Sequence, residues 1–390
     1  MIVRHFLDWV RTAPAGKRAE ATSALARAYL YSELAADDLA AAEGAMLMLL
    51  DDPSPLVRQA LADALAPSPS APPAIVLALA ADQPQIAAPV FALSPLFIDA
   101  DLVDATATGD AAIQAAIASR AGLPRSVCAA IAEVGGPQCC LVLLENRNAE
   151  IAPFSIDRIA ERHGHLAAMR ERLLERHDLA AATRQKLVAK LSEMLAGFVA
   201  EREWLGAEHA RRVVREACEK ATVTIAADRP RTQVRPLIQH LRASGQLNAG
   251  LILRALLSGN LPLFEEALAE LTDLPVARVA SLLSDGRSVG LRALFDRARL
   301  PPSTYPAFKE AIEAMHEGGF VSEPGGVARL KRRMIERVLT RSEDDALGEL
   351  APLLTLLRRF ATEAARDEAR LFCDELVAEA YANEPEFAAA

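Results

Sequence analysis

Proline sets the grain of this sequence. Between residues 50 and 145 it recurs at Pro67, Pro69, Pro72, Pro73, Pro84, Pro95, Pro124 and Pro137. Its ring fixes φ and removes a backbone donor, so elements there are limited to about 10–14 residues. The intervening stretches carry helical periodicity. Asp37 precedes Leu39, Ala42, Met46, Leu49 and Leu50 at spacings of three and four, and Ser54-Pro55 supplies a cap and a first-turn proline to Val57, Leu61 and Leu65. Strand alternation is absent, and residues 221–227 continue a helical pattern that reads as a helix end. The sequence therefore predicts an all-α chain of many short helices.

A loose repeat runs through them. Polar turns at Asp52, Asp82, Asp110 and Asn146 each precede an apolar segment whose inward residues would be Val57, Ile86, Ile113 and Ile151, spaced by 29, 27 and 38 residues. A polar turn before an apolar helix, at a period of roughly 20–50 residues, is the mark of a helical solenoid in which each helix pair buries its face against the next. From Ser155 the helices lengthen: 183–205 sets Leu187, Leu191, Met194 and Phe198 on one face, and 211–227 follows with Val213, Val214 and Ala217. Glycine and proline return at Pro230, Pro236, Gly245, Gly259, Pro262, Pro275, Gly286 and Pro301. Glycine pairs at 318–319 and 325–326 then precede two longer helices, 327–341 and 344–382. This gives an N-terminal array over 1–205, a short-helix region over 206–322 and a C-terminal helical hairpin over 323–390.

The D-D-P-S-P-L-V-R turn at 51–58 resembles the inter-repeat corner of HEAT-type repeats. The segment 261–300, with L-P-L-F-E-E-A-L-A-E-L, L-P-V-A-R-V-A-S-L-L and L-R-A-L-F-D-R-A-R-L-P, resembles the central pattern of an uncharacterised bacterial domain-of-unknown-function family of HEAT-like all-α proteins. The likeness covers roughly residues 40–320. It implies a HEAT-like α-α superhelix and supplies no site residues to carry over.

Charge is unevenly spread. Residues 1–155 hold nine Lys+Arg and 17 Asp+Glu, which leaves 34 against 35 for the remainder and a total of −9. An excess of basic charge, which phosphate neutralisation requires, is missing, so nucleic acid is not an expected partner. Five cysteines without C-x-x-C spacing, Cys128, Cys139, Cys140, Cys218 and Cys373, read as small buried hydrophobes in a reducing compartment. The N-terminus lacks the pattern of a signal peptide and the longest apolar run, 74–81, is far below the ~20 residues of a membrane span. A soluble, cytoplasmic protein is expected.

Chemical motifs are few. Gly286-Arg-Ser-Val-Gly290 fits G-x-S-x-G, with Asp296 and His316 in hydrolase order, but that motif needs a strand-to-helix elbow and here reads as a helix–helix turn. His163, His165 and His177 sit among arginines that oppose a cation. Asp99, Asp101, Asp104 and Asp110 lack the glycine and glutamate of a calcium loop, so Asp99 and Asp110 are read as helix caps. Vicinal Cys139-Cys140 lies in an apolar helix and reads as core rather than as a redox pair. No phosphate loop, dinucleotide fingerprint or zinc-ribbon spacing occurs in the sequence. Arg329, Arg333, Arg337 and Arg341 form an i,i+4 row beside Leu330, Met334 and Val338. Like charges so spaced need acidic neighbours or an acidic partner.

These observations predict a non-enzymatic protein-interaction scaffold, without catalytic residues, cofactor or metal. It would bind a protein partner, with the arginine row as the candidate contact and an acidic partner suiting that row. Two alternatives stand beside it. One is an enzyme or small-ligand sensor with a pocket in 205–320 lined by groups such as Arg254, Glu265, Asp285 or Ser288. The other is a self-associating scaffold using Leu353, Leu357, Phe360, Ala364 and Leu371 as a dimer seam.

Overall fold

The computed structural model describes residues 9–10, 12–204, 206–227, 229–285, 288–318, 326–343 and 351–383. The side chains of Ser288, Arg329, Arg341 and Leu353 lie outside the described residues. The protein is all-α. Among the described residues there is no strand, and a single isolated bridge joins Leu123 to Ala149. Contacts divide the chain into two compact units, 1–179 and 180–390. The 205/206 boundary drawn from the sequence lies between two helices of the second.

The first unit holds α1 (Ala15–Tyr31), α2 (Ala36–Leu49), α3 (Pro55–Leu65), α4 (Pro73–Ala80), α5 (Pro84–Leu93), α6 (Asp99–Thr108), α7 (Ala111–Ala118), α8 (Arg125–Val134), α9 (Pro137–Glu145), α10 (Pro153–His163) and α11 (Ala167–Glu175). Proline occupies the first turn of α3, α4, α5, α9 and α10, where its missing donor costs nothing. Packing skips one helix at a time. The odd row α1, α3, α5, α7, α9, α11 stacks in order, and α6, α8 and α10 form a second row. This two-row stacking of alternate helices is consistent with a helical repeat array.

The odd row also corrects the repeat. Its helices from α3 onward begin at Pro55, Pro84, Ala111, Pro137 and Ala167, spacings of 29, 27, 26 and 30 residues. The 38-residue step read from Asn146 skips a unit: that residue follows α9 and precedes α10 of the other row. Asn146 still acts as a corner, its amide donating to the carbonyls of Ala118 (2.9 Å) and Arg120 (2.7 Å).

The HEAT-like corner residues are the ones that tie successive layers. Arg18 on α1 donates two hydrogen bonds to Asp52 (2.8 and 2.9 Å). Arg58 on α3 does the same to Asp82 (2.6 and 3.1 Å) and also reaches the Asp52 carbonyl (2.6 Å). Burial pushes the Asp52 carboxyl up, but Arg18, the Ser54 N–H and Arg58 outweigh it and hold it below the usual carboxylate range. Two-pronged Arg–carboxylate bonds fix orientation as well as distance, so this short ladder sets how one layer sits on the next.

The second unit holds α12 (Ala181–Glu201), α13 (Ala207–Ala227), α14 (Arg231–Ala243), α15 (Ala249–Leu257), α16 (Leu261–Thr272), α17 (Val276–Ser284), α18 (Ser288–Arg297), a 3₁₀ turn (Pro302–Thr304), α19 (Tyr305–Gly318), α20 (Gly326–Glu343) and α21 (Ala351–Asn383). Alternate stacking continues along α12, α14, α16, α18, while α15 packs on α13, α16, α19 and α20. Every residue of α15 from Leu251 to Leu257 is buried. Such an all-round apolar helix is stable only when enclosed, and it forms the axis of this core. Helices α20 and α21 pack on one another. Of the residues suggested for a dimer seam, Leu357, Phe360 and Ala364 are buried in the core of this unit, while Leu371 is 44% exposed.

Pro236, expected to break the helical pattern, lies inside α14 at its sixth residue. It deprives the Thr232 carbonyl of its helical partner, and the helix continues because Val234, Leu237, Ile238 and Leu241 are all buried on one face. Pro236→Ala is expected to raise stability by about 1–3 kcal/mol, seen as a higher denaturant midpoint at unchanged slope. An unchanged or lower midpoint would show that the surrounding packing is built around the proline.

Candidate functional site

Of the arginine row, Arg337 is held by acidic side chains of a neighbouring helix. Arg337 Nε donates to Glu310 (3.3 Å), its Nη2 lies 3.9 Å from Glu313, and its Nη1 bonds Glu317, all on α19. Between the row members, Arg332 joins Glu336 (2.7 Å) on its own helix and Glu368 (3.0 Å) on α21. Arg333 is exposed, and the side chains of Arg329 and Arg341 lie outside the described residues. For Arg337 the acidic partners come from α19.

The other motifs are structural where they are described. Ser288 opens α18, and Gly286 and Arg287 lie outside the described residues. His163 is buried, its Nε2 3.3 Å from the Gly135 carbonyl, and burial pushes its pKa down. Asp110 caps α7, accepting from the N–H groups of Ala112 (2.9 Å) and Ile113 (3.0 Å). Asp99, expected to cap α6, instead accepts from Ser126 (2.9 Å); Asp101 takes the Ile98 N–H (3.1 Å). Cys139 and Cys140 are buried. Burial pushes their thiols up to about 12 and about 11, which suppresses thiolate chemistry. Of the four groups suggested for a pocket, Arg254 is buried against Glu363 and the Phe360 ring, 4.1 Å from its centroid, and Glu265 pairs with Arg231 at 2.8 Å.

Two features of the α12–α13 hairpin remain. Each helix has 21 residues, about 31 Å at 1.5 Å per residue, while α14 and α15 have 13 and nine. The buried residues of α12 all lie in its first third, and most of those of α13 in its last. Among the described residues, the second half of α12 holds no buried side chain and the first half of α13 holds one, Ala210. The apolar face read from the sequence runs from a buried end into solvent: Leu187 is 1% exposed, but Phe198 is 42% and Met194 53%, and Leu195 beside them is 50% exposed. Trp204, 65% exposed, meets Phe198 edge-on at 5.9 Å, and the Arg202 guanidinium lies 4.2 Å from the Phe198 ring centroid. These contacts hold the two rings in one arrangement on the surface.

The opposite face of α12 borders a cleft of about 410 Å³. Its walls are Ala189, Ser192, Glu193 and Ala196 of α12 and Arg211, Val214, Arg215, Cys218, Glu219 and Thr222 of α13. Its floor is Leu241, Gly245, Gln246, Asn248 and Leu251. Glu219 is the chemically distinctive group. Burial raises its pKa, against the pull of an Asn248 amide hydrogen bond (3.0 Å) and of the Arg254 and Arg215 charges. Asn248 is itself fixed, because its oxygen caps α15 through the Leu251 N–H (2.9 Å). Behind the floor, Gln185 donates to Gln246 (2.6 Å) and accepts from His240 (3.0 Å). Among the described residues, Arg211 and Arg215 have no ion-pair partner.

Residues 86–348, well over half of the chain, match the family model described as an uncharacterised protein conserved in bacteria (DUF2336). The chain belongs to this family. The DUF2336 match starts inside α5 and ends just beyond α20, so it takes in the hairpin, the cleft and the α15 core, and reaches further towards the C-terminus than the resemblance read from the sequence. No curated protein and no solved structure matches the chain. No described helix of this DUF2336 protein is long and apolar enough to cross a membrane.

Proposed function

We propose that this protein is a non-enzymatic adaptor that recruits a protein partner by docking an amphipathic helix of that partner along the exposed stripe of the α12–α13 hairpin. The observation that carries the reading is the continuation of a buried helix face into open solvent as Met194, Leu195 and Phe198, joined there by Trp204. Large apolar groups gathered on a monomer surface are the usual sign of a docking site, and aromatic anchors dominate interface energetics. A helical ligand fits because its own i, i+3, i+4 anchors match a stripe of the same period. Arg202 beside the two rings and exposed Lys190, one turn before Met194, favour acidic residues next to the partner's anchors.

The test is affinity capture from the native bacterium with the wild-type chain and with a variant carrying Met194→Ser, Leu195→Ser, Phe198→Ser and Trp204→Ser. These side chains are exposed, so the helical circular dichroism signal should be retained while the specifically captured protein is lost. Equal recovery by the variant would contradict the assignment.

A further inference from the structure

The cleft on the other face of the hairpin orders its polar groups along one line. Arg211, Arg215 and Glu219 stand at i, i+4 and i+8 on α13, about 12 Å from first to last. Glu219 lies at the end of the wall nearest Asn248; the two arginines, neither in a salt bridge among the described residues, lie towards the distal end, with the Arg215 charge already acting on Glu219. Because α12 and α13 are consecutive helices joined by residues 202–206, they run antiparallel, which puts Ser192 and Glu193 of α12 between those extremes. Ala189, Val214, Leu241 and Leu251 supply the apolar surface. A volume of about 410 Å³ lies within the range of small-ligand sites, which combine apolar walls with a few convergent polar groups.

We propose that this cleft binds a purine nucleoside monophosphate, with a guanine edge on Glu219, the ribose hydroxyls at Glu193 and Ser192, and the phosphate on Arg211 and Arg215. The three groups match in order and in chemistry. Two arginines on successive turns of one helix repel one another, Glu219 offsets part of the Arg215 charge, and a phosphate would accept from both guanidinium groups. A carboxylate only accepts hydrogen bonds, so it suits vicinal hydroxyls in the middle of the cleft and, at its floor, a base edge that presents adjacent donors. Guanine offers N1–H beside its exocyclic amine. Adenine offers one donor beside an acceptor, which would face the carboxylate lone pairs. Glu219 is ready for this: Asn248 occupies Oε1, and among the described residues nothing donates to Oε2. A donor pair from the base would also relieve the burial that disfavours its charge.

Isothermal titration of the full chain with GMP, AMP, guanosine and inorganic phosphate tests this site independently of the protein-docking stripe. The expected result is saturable GMP binding, with AMP at least about tenfold weaker. Glu219→Gln, which keeps the shape and removes the buried charge, should weaken GMP about tenfold or more. The Arg211→Ala, Arg215→Ala double variant, altered only at exposed positions, should weaken GMP by a similar factor and leave guanosine unchanged. Absence of saturable GMP binding, equal affinity for AMP, or double-variant affinity equal to wild type would overturn the proposal. So would full affinity in a folded Glu219→Gln variant.

Discussion

Arg254→Ala is expected to lower the unfolding free energy by about 3 kcal/mol. Arg254 is the sole charged residue of α15, whose other side chains from Leu251 to Leu257 are all apolar, and it is buried to the same degree as they are. Its charge is tolerated because Glu363 of α21 bonds it and the face of Phe360 covers it. Removing the guanidinium leaves a hole under Phe360 and strips Glu363 of its partner. Part of the loss is recovered because Glu363 can turn to water. Arg254→Met keeps the packing and should cost clearly less. A pH dependence accompanies the change. Burial raises the Glu219 carboxyl and Arg254 is one of the charges opposing it, so the variant raises it further. A carboxyl whose folded pKa exceeds its unfolded one contributes stability below the ordinary carboxylate range and loses it as pH rises through the folded value. The deficit of Arg254→Ala should therefore be smaller at acid pH than at neutral pH. Denaturant titrations at two pH values decide it, and an equal deficit at both would mean that the two groups are not coupled.

Phe308→Ala is expected to cost about 3–5 kcal/mol. Aromatics make up only 5% of the chain, yet three phenylalanines meet at this point. Phe308 of α19 stacks on Phe264 of α16 at 6.1 Å and lies 4.8 Å from Phe295 of α18. Both Phe264 and Phe308 are fully buried. Truncation opens a cavity that three helices would have to close together, and each lost ring pair adds about 0.5–1.5 kcal/mol. Against a typical domain stability of ~5–15 kcal/mol this is a large share. A loss below about 1 kcal/mol in the denaturant midpoint would show that α16, α18 and α19 collapse freely onto the gap.

What the sequence yields follows from the range of the interactions. Helix starts are legible because first-turn prolines and capping groups act within a few residues: Pro55, Pro84 and Pro137 all begin helices. Pro236 misleads, since its local penalty is outweighed by four buried side chains on the same helix. The apolar face of Leu187, Leu191, Met194 and Phe198 is visible as a pattern, but its exposure is not, because burial depends on how far the neighbouring helices extend. The arginine row is visible too, while Glu310, Glu313 and Glu317, which hold Arg337, stand 20 to 27 residues earlier on another helix. The cleft is hidden for the same reason. It gathers Ser192, Arg215, Glu219 and Asn248 from separate stretches of the chain, and Arg254 finds Glu363 109 residues away.

Docking of a partner on the distal hairpin can be read out by photo-crosslinking in the native cell. A benzophenone amino acid at position 198 is compared with the same probe at position 289, where Val289 is 82% exposed on a different helix, α18. The account predicts an adduct with the captured partner from position 198 and none from position 289. An adduct from 289, or none from 198 while the partner is still captured, would contradict it.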